Sequence, residues 1–487
     1  MACGVTNSRT PKRPFGAYCS YAIKIISIGV GLIAAAPCRA SAETIESALA
    51  RAYENNPQLN AQRAVVRQAD EGVAQALSGY RPSISANASV GKEHSLLQET
   101  FPPLPGTPLT QSETATVKGP TTPRSAGATA SQTLFNGEMT ANKVRSAESD
   151  VNAARETLRL MEQTVLLAAA TAYMDVLRDT ANLEVQRSNF SVLQRMFNDT
   201  HMRFEVGQIT DTDVSQAEAQ LAAGEASVAA AESTLVTTRA NYRRIIGVDP
   251  TKLSPASTVE ALSPSTLSAA VTVAATQNPS VTAALYGVDV AVLQVKIAEG
   301  ALWPDLTAQA SVERSWDTNI VTPKLFTQSA TLNLSVPLYQ GGGEYSAIRR
   351  SKEAVGQQRL TVDQIRDQVQ AEVVGDWAQM RAARVQISAA TRQGIAAEKA
   401  LSGVRKEAMI GQRTTLDVLN SQQALVNARI SLINAQHDGV VASYNLLSAV
   451  GRLSAQTLGL PVTAYDPSVH YHQVRDSWFG LRTPSGQ

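Results

Sequence analysis

At 487 residues, with 44% hydrophobic and 17% charged side chains, the chain is long enough for a large packed structure and too apolar to be disordered. Its formal net charge is +1, but five of the 43 Lys and Arg residues and none of the 42 Asp and Glu residues precede Glu43; beyond that point 38 basic groups face 42 acidic ones, a balance of −4 that argues against nucleic acid as a partner. All three cysteines (Cys3, Cys19, Cys38) lie in the same leading segment, so the remainder has no thiol for a disulfide, a metal or a nucleophile and must be held by packing or by assembly.

Residues 1–42 read as a secretory signal. Arg9, Lys12, Arg13 and Lys24 lead into an apolar run from Ile25 to Ala36, and Ala40-Ser41-Ala42 forms a small-x-small cleavage site. The alternative, a lipoprotein signal with Cys38 as the lipidated residue, is disfavoured by Pro37 just before it and by Ala35. Downstream there is no run of 18 or more consecutive apolar residues, so entry into a membrane would have to be made by strands.

Residues 43–247 form a first unit. Thr44 to Glu54 has the pattern of a short amphipathic helix, and Asn56-Pro57 is a helix start with Asn as N-cap and Pro at the first helical position. That helix runs to about Ser78, where Gly79-Tyr80-Arg81-Pro82 stops it. The period then changes to two over residues 83–90, where Ile84, Ala86, Ala88 and Val90 alternate with Ser83, Ser85, Asn87 and Ser89, and a partner strand is predicted over 126–135. Between them Gly91 to Arg124, with Pro102, Pro103, Pro105 and Pro108, has no regular period and reads as a long exposed loop. A long helix is predicted over 141–204, its apolar residues seven apart (Val144, Val151, Leu158, Val165) and, after a shift of four, again seven apart (Val176, Leu183, Phe190, Phe197, Phe204). It would be a rod roughly 96 Å long. After a tip at 207–212, a return helix to Ile246 carries Val214, Leu221, Val228, Leu235 and Tyr242 as its seam.

A linker follows at 248–267, and residues 268–451 repeat the plan. Asn278-Pro279 repeats Asn56-Pro57 and Trp303-Pro304 repeats Arg81-Pro82, both 222 residues on. Beyond the hairpins the displacement is 204, because Gly411-Gln412 matches Gly207-Gln208 and Asp417-Val418 matches Asp213-Val214. Strands are predicted at 304–313 and 328–338, a long helix at 345–409 and a tip at 411–416, with Ile348, Val355, Val362 and Val369 repeating the ladder. The 18-residue difference falls in the hairpins, and fixed offsets of this kind mark an internal duplication. Residues 452–487 form a tail without coiled-coil period.

The lengths constrain the architecture, since the helix from Asn56 and the return helix together match the rod beside which they would lie. The last long helix has two adjacent seams, one through Leu419, Val426 and Val440 and one through Leu425, Leu432 and Leu446, as for a helix with neighbours on both sides in a wall; a solid bundle is the alternative. Four strands per chain cannot close a barrel, and an open edge in lipid leaves backbone groups unsatisfied, so several copies would have to share one. Three copies give twelve strands and twelve helical columns.

Taken as a set, these features resemble the TolC-like outer-membrane efflux proteins of Gram-negative bacteria. The resemblance rests on the paired Asn-Pro starts, the strand exits Leu134-Phe135-Asn136-Gly137 and Pro337-Leu338-Tyr339-Gln340-Gly341-Gly342, and the tips Val206-Gly207-Gln208 and Ile410-Gly411-Gln412-Arg413. It implies a mainly α protein with a small β part: a homotrimer whose twelve-stranded outer-membrane β-barrel continues into a twelve-helix periplasmic α-barrel, with the linker and tail forming a belt midway along. It further implies an exit duct for multidrug efflux or type I protein secretion, working with a periplasmic adaptor and an inner-membrane ABC or RND transporter, and it implies no enzyme activity and no cofactor. By the same resemblance Asp417 lines the periplasmic entrance, with Asn420 standing where a second aspartate would lie; Arg413 bonds to the neighbouring tip, with Thr212 and Asp213 as acceptors; and Val206, Gly207, Gln208, Ile410, Gly411 and Gln412 receive the adaptor.

Read without the resemblance, Asp213 and Asp417 are acidic residues near helix starts, which the helix dipole favours. Gly341-Gly342-Gly343 lacks the Lys-Ser/Thr of a phosphate loop and reads as a flexible joint. His470 and His472 flank Tyr471 in what reads as a surface tail, too few ligands for a metal, and His437 falls on a helical seam where packing is the default. The competing function, a surface adhesin or structural rod, would need a passenger domain, for which the loops near Gly91–Arg124 and Arg314–Thr327 are the only candidates.

Overall fold

The computed structural model describes residues 43–101, 113–320, 322–484 and 486. Residues 1–42, expected to be a secretory signal, and the proline cluster from Pro102 to Pro108 lie outside the described residues.

From Glu43 onward the elements are α1 (Ile45–Asn55), α2 (Pro57–Leu77), β1 (Ser83–Val90), β2 (Glu93–Phe101), β3 (Glu113–Thr121), β4 (Arg124–Asn136), α3 (Met139–Glu205) and α4 (Asp211–Ile246). Then come α5 (Leu267–Gln277), α6 (Pro279–Gly300), β5 (Asp305–Trp316), β6 (Lys324–Ser335), α7 (Gly343–Met409), α8 (Thr415–Ala449) and α9 (Pro467–Val474). Helices α3 and α7 have 67 residues each, about 100 Å at 1.5 Å per residue.

The Asn-Pro starts are built alike. The Asn56 side chain accepts from the backbone N–H of Gln58 at 2.9 Å and donates to the Ile245 carbonyl at 3.0 Å; Asn278 accepts from Ser280 at 2.9 Å and donates to the Ala449 carbonyl at 2.9 Å. Each amide thus caps one helix while satisfying an orphan carbonyl at the end of another, a double use that few other side chains offer. This bond holds α2 end to end with α4, and α6 end to end with α8.

Beside each such column runs a long helix: α3 packs against α2 and α4, α7 against α6 and α8, and α3 also touches α6 and α8. Val144, Val151, Leu158, Val165, Val176 and Leu183 are buried along α3, and Ile348, Val355, Val362, Val369, Met380 and Leu401 along α7. Full burial of such a side chain contributes about 1.5–3 kcal/mol, so these seams dominate the packing. Toward the tip the ladder of α3 departs from the expected course. Phe204 is 40% exposed and Phe190 and Phe197 only half-buried, while Asn189, Leu193 and Thr200 take the buried positions.

The largest core cluster gathers α1, the middle of α3, the ends of α4 and α8, the linker and the tail. Tyr173 is fully buried there with its hydroxyl 2.8 Å from the Glu43 carbonyl and 2.7 Å from that of Ser254, and Leu453, Ala455 and Leu460 of the tail join it. The tail is therefore a packed element. In α9, His470 is 9% exposed and its Nδ1 lies 2.9 Å from the carboxylate of Asp70, which is fully buried in α2. The surface-tail reading of this histidine is corrected: it anchors the tail.

Only one stretch among the described residues is apolar and long enough for a spanning helix, Leu267–Gly300 with a hydropathy of 1.5, and Asn278-Pro279 breaks it into α5 and α6. Its apolar window is just 17% buried in one chain.

The strands differ from expectation in number and in extent. Strands β1, β4, β5 and β6 form one antiparallel sheet in that order, but the predicted loop from Gly91 to Arg124 contains a second hairpin, β2–β3, paired from Glu93↔Thr121 to Phe101↔Glu113. Thr, Val and Leu side chains suit an extended ribbon, and cross-strand contacts such as Thr100 Oγ1 to Thr114 Oγ1 at 3.1 Å tie it. Pro120 within β3 is tolerated because each strand of a two-stranded ribbon has a free edge. Strand β5 runs on to Trp316 and β6 begins at Lys324, so the second candidate loop is a short turn closed by the bond from Asp317 N–H to the Pro323 carbonyl at 3.0 Å.

Candidate functional site

Two places in the fold carry features that packing alone does not require: the four-stranded sheet, and the tips at the far ends of α3 and α7.

In an antiparallel sheet directly opposed residues share a face, so the register sorts the side chains. One face is polar in row after row: Ser83, Ser131, Gln309 and Thr331, then Ser85, Thr129, Ser311 and Ser329. Hydroxyl pairs confirm the shared side, Ser311 to Ser329 at 2.8 Å and Ser89 to Ser125 at 2.9 Å. The opposite face is mostly small or apolar, with Ile84, Ala130, Ala310 and Ala330 in one row and Ala308 beside Leu332 and Leu306 beside Leu334 in others, and with Gln132, Gln328 and Arg314 among its polar exceptions. Ile84 is 77% exposed and Leu334 64%, so none of the described residues covers the apolar face there. Both outer strands, β1 and β6, have one edge without a partner among the described residues.

The two tips are constructed alike. At the first, Gly207 takes a left-handed φ of 71°, and the N–H groups of Gly207 and Gln208 donate to the Phe204 and Arg203 carbonyls at 2.8 and 2.9 Å; at the second, Gly411 has φ 78°, and Gly411 and Gln412 donate to Ala408 and Glu407 at 3.1 and 3.0 Å. A side chain on Cβ disfavours that conformation, which is why glycine stands just past the end of each long helix. Capping boxes then start the return helices. Thr210 and Asp213 exchange bonds at α4, and at α8 the Asp417 Oδ2 accepts from the Thr414 hydroxyl at 2.9 Å and backbone N–H at 3.0 Å. Thr414 holds the Asp417 carboxyl below the usual carboxylate range, through the backbone bond first and the hydroxyl second.

The predicted tip residues fall as follows. Val206 and Ile410 are 69% and 70% exposed, an apolar pair at the extremity. Asn420 is exposed one turn beyond Asp417. Arg413 does not reach Thr212 or Asp213 within the chain: its Nε donates to Glu407 Oε2 at 2.9 Å, the Asp213 carboxylate is occupied by its own cap on Thr210, and Thr212 is exposed. The nearest carboxylate, one turn back on α7, wins the guanidinium.

One cluster escaped sequence reading. His437 on α8 is 8% exposed, its Nε2 2.9 Å from Asp175 of α3 and its Nδ1 2.9 Å from Asp438; Arg178 binds Asp175 at 2.9 Å and Asp179 at 2.8 Å, and Thr238 of α4 donates to Asp179 at 2.6 Å. Burial pulls the imidazole pKa down, but the bonds to Asp175 and Asp438 more than offset this and hold it above the ordinary value of 6.5. The partners lie 262 residues apart, and no local spacing announces them.

Among the described residues no group of three or more His, Cys, Asp or Glu side chains could hold a metal ion. The family model "Outer membrane efflux protein" matches residues 48–248 and 270–452. The chain is similar to the outer membrane efflux protein BepC of Brucella suis biovar 1, with 42% identity over 92% of this chain and 94% of that one, and to the outer membrane protein TolC of Vibrio cholerae, with 28% identity over 85% and 92%. Among solved structures it resembles the Campylobacter jejuni CmeC outer membrane channel, with a TM-score of 0.72 and 14% identity over 89% of each chain, a likeness of fold.

Proposed function

The chain belongs to the outer membrane efflux protein family, and from that premise we propose that three copies assemble into one tube, a twelve-stranded outer-membrane β-barrel continuous with a twelve-helix periplasmic barrel. The observation that carries the reading is the sheet: four strands, a polar face, an uncovered apolar face and two bare edges. In lipid those edges must pair, and neighbouring β1 and β6 strands are the available partners. The apolar face then meets lipid and the serine and threonine face meets a water-filled lumen.

In this reading 43–247 and 268–451 are tandem repeats, 248–267 and 452–487 form the equatorial belt, and 1–42 directs export. The tube is an energy-independent exit duct for drugs, other small molecules or a secreted protein. It is coupled to an inner-membrane ABC or RND transporter through a periplasmic adaptor that docks on Val206, Gly207, Gln208, Ile410, Gly411 and Gln412. Asp417 contributes one carboxylate per chain to the entrance, and Asn420 leaves that ring at three charges instead of six. Since Arg413 is tied to Glu407 within its own chain, any link to Thr212 or Asp213 must come from a neighbouring copy and compete with that bond. Exposed pairs of this sort are individually weak, so several together would be needed to keep the tips closed.

Reconstitution of the purified full chain in planar bilayers should give discrete conductance steps. A preparation that inserts but carries no current would overturn the duct.

A further inference from the structure

Between the last turns of α3 and the α7–α8 tip lies a cavity of about 450 Å³ whose lining is unbalanced in charge: Arg195, Arg203, Arg405 and Arg413 against the single carboxylate of Asp199. The four guanidiniums are not equivalent. Arg405 is aimed by a relay of buried amides, its Nη2 donating to Gln422 Oε1 at 3.0 Å while Gln422 Nε2 donates to Asn189 Oδ1 at 3.0 Å, with Gln422 6% and Asn189 5% exposed. Arg413 is held by Glu407. The side chains of Arg195 and Arg203 make no ion pair or hydrogen bond among the described residues.

The amide relay ties α7, α8 and α3 together and fixes the Arg405 guanidinium at a lining where, with Arg413 satisfied by Glu407, Arg195, Arg203 and Arg405 still outnumber Asp199, and like charges in a partly enclosed space repel. This lining makes sense when an anion completes the set. We infer that this cavity is a binding site for a small, multiply charged oxyanion, a polycarboxylate or polyphosphate, with Arg405 and Arg413 as the fixed contacts and Arg195 and Arg203 closing on it. Guanidinium forks match both carboxylate and phosphate oxygens in paired, charge-assisted bonds. The four arginines come from both sides of the groove, two from α3 and two from α7 and its tip, so a bound anion staples the first hairpin to the second close to the proposed entrance.

Binding is read on the purified full chain in detergent by isothermal titration, independently of any conductance, so the site and the duct stand or fall separately. Citrate and pyrophosphate are the probes, titrated in sodium chloride of matched ionic strength to remove plain screening. At least one of them should saturate at one site per chain, with affinity at least tenfold weaker in the Arg195→Gln/Arg203→Gln double variant and weakened less in Arg203→Gln alone. That last position is exposed in the final turn of α3, where the charge is not needed for folding. Absence of saturation with both probes, or equal affinity in wild type and variants, would overturn the assignment.

Discussion

Asp417 has a helix-capping role in the structure, to which the proposed function adds a place at the entrance. Its carboxylate closes the capping box of α8, and because Thr414 holds its pKa below the ordinary 3.8, the bond is in place above that value and is lost only as pH falls through the lower folded-state value. A cation site using this carboxylate should keep its charge through mildly acidic conditions. Asp417→Ala and Asp417→Asn should both weaken block of the channel current by trivalent cations at roughly pH 5 as well as near neutrality. The asparagine keeps a hydrogen-bonding group at the helix start, so an effect shared by both variants belongs to the charge. Unchanged block in both would remove Asp417 from the entrance. His437 behaves in the opposite sense. With its pKa raised above 6.5, its contribution to stability is complete below the unfolded value and is lost as pH rises through the folded one. The charged groups facing it are Asp175, Arg178 and Asp179 from α3 and its neighbour Asp438. Thermal unfolding should show a wild-type advantage over His437→Gln that shrinks between roughly pH 6 and 8, and parallel profiles would contradict the assignment. The Asn-Pro caps could be read from sequence because a cap is a local bond. The His437 and His470 pairs could not, since their partners lie on other helices 262 and 400 residues away.

At the scale of elements, periodicity was legible where one face dominates. The period-two run at Ser83–Val90 coincides with β1, and the seven-residue ladders coincide with buried stripes over most of α3 and α7. It failed in two places for different reasons. Near the tip of α3 the buried face turns to Asn189, which bonds Gln422 of α8, and to Thr200, whose hydroxyl bonds the Met196 carbonyl, and hydrophobicity alone cannot anticipate such polar positions. In β2–β3 the prolines between the strands masked a ribbon whose two faces are both exposed, so no alternation was selected. The sheet makes a paired prediction. Ala130→Arg puts a charge on the apolar face and should cost about 2–4 kcal/mol if that position sits near the bilayer midplane. Thr129→Arg, one residue away on the polar face, should assemble normally and shift the channel toward anions. Heat-resistant oligomer on semi-native gels and reversal potentials under a salt gradient measure the two; equal tolerance of both variants would mean that the faces are misassigned.

For the whole molecule, the chain leaves several surfaces uncovered: two sheet edges, an apolar sheet face, and the apolar window in Leu267–Gly300. None is explained by a monomer in water, since unpaired edges invite association and contiguous apolar surface marks an interface. The chain belongs to the outer membrane efflux protein family, and under the proposed function lipid would cover the apolar sheet face and identical copies would cover the rest. The proposed stoichiometry rests on arithmetic on strands: four are too few to close a barrel, and twelve from three copies are enough. Electron microscopy of the detergent-purified full chain tests this most directly. The account predicts particles with threefold symmetry about a single central hole and twelve strands around the barrel; a stable monomer, or an assembly without a hole, would contradict it.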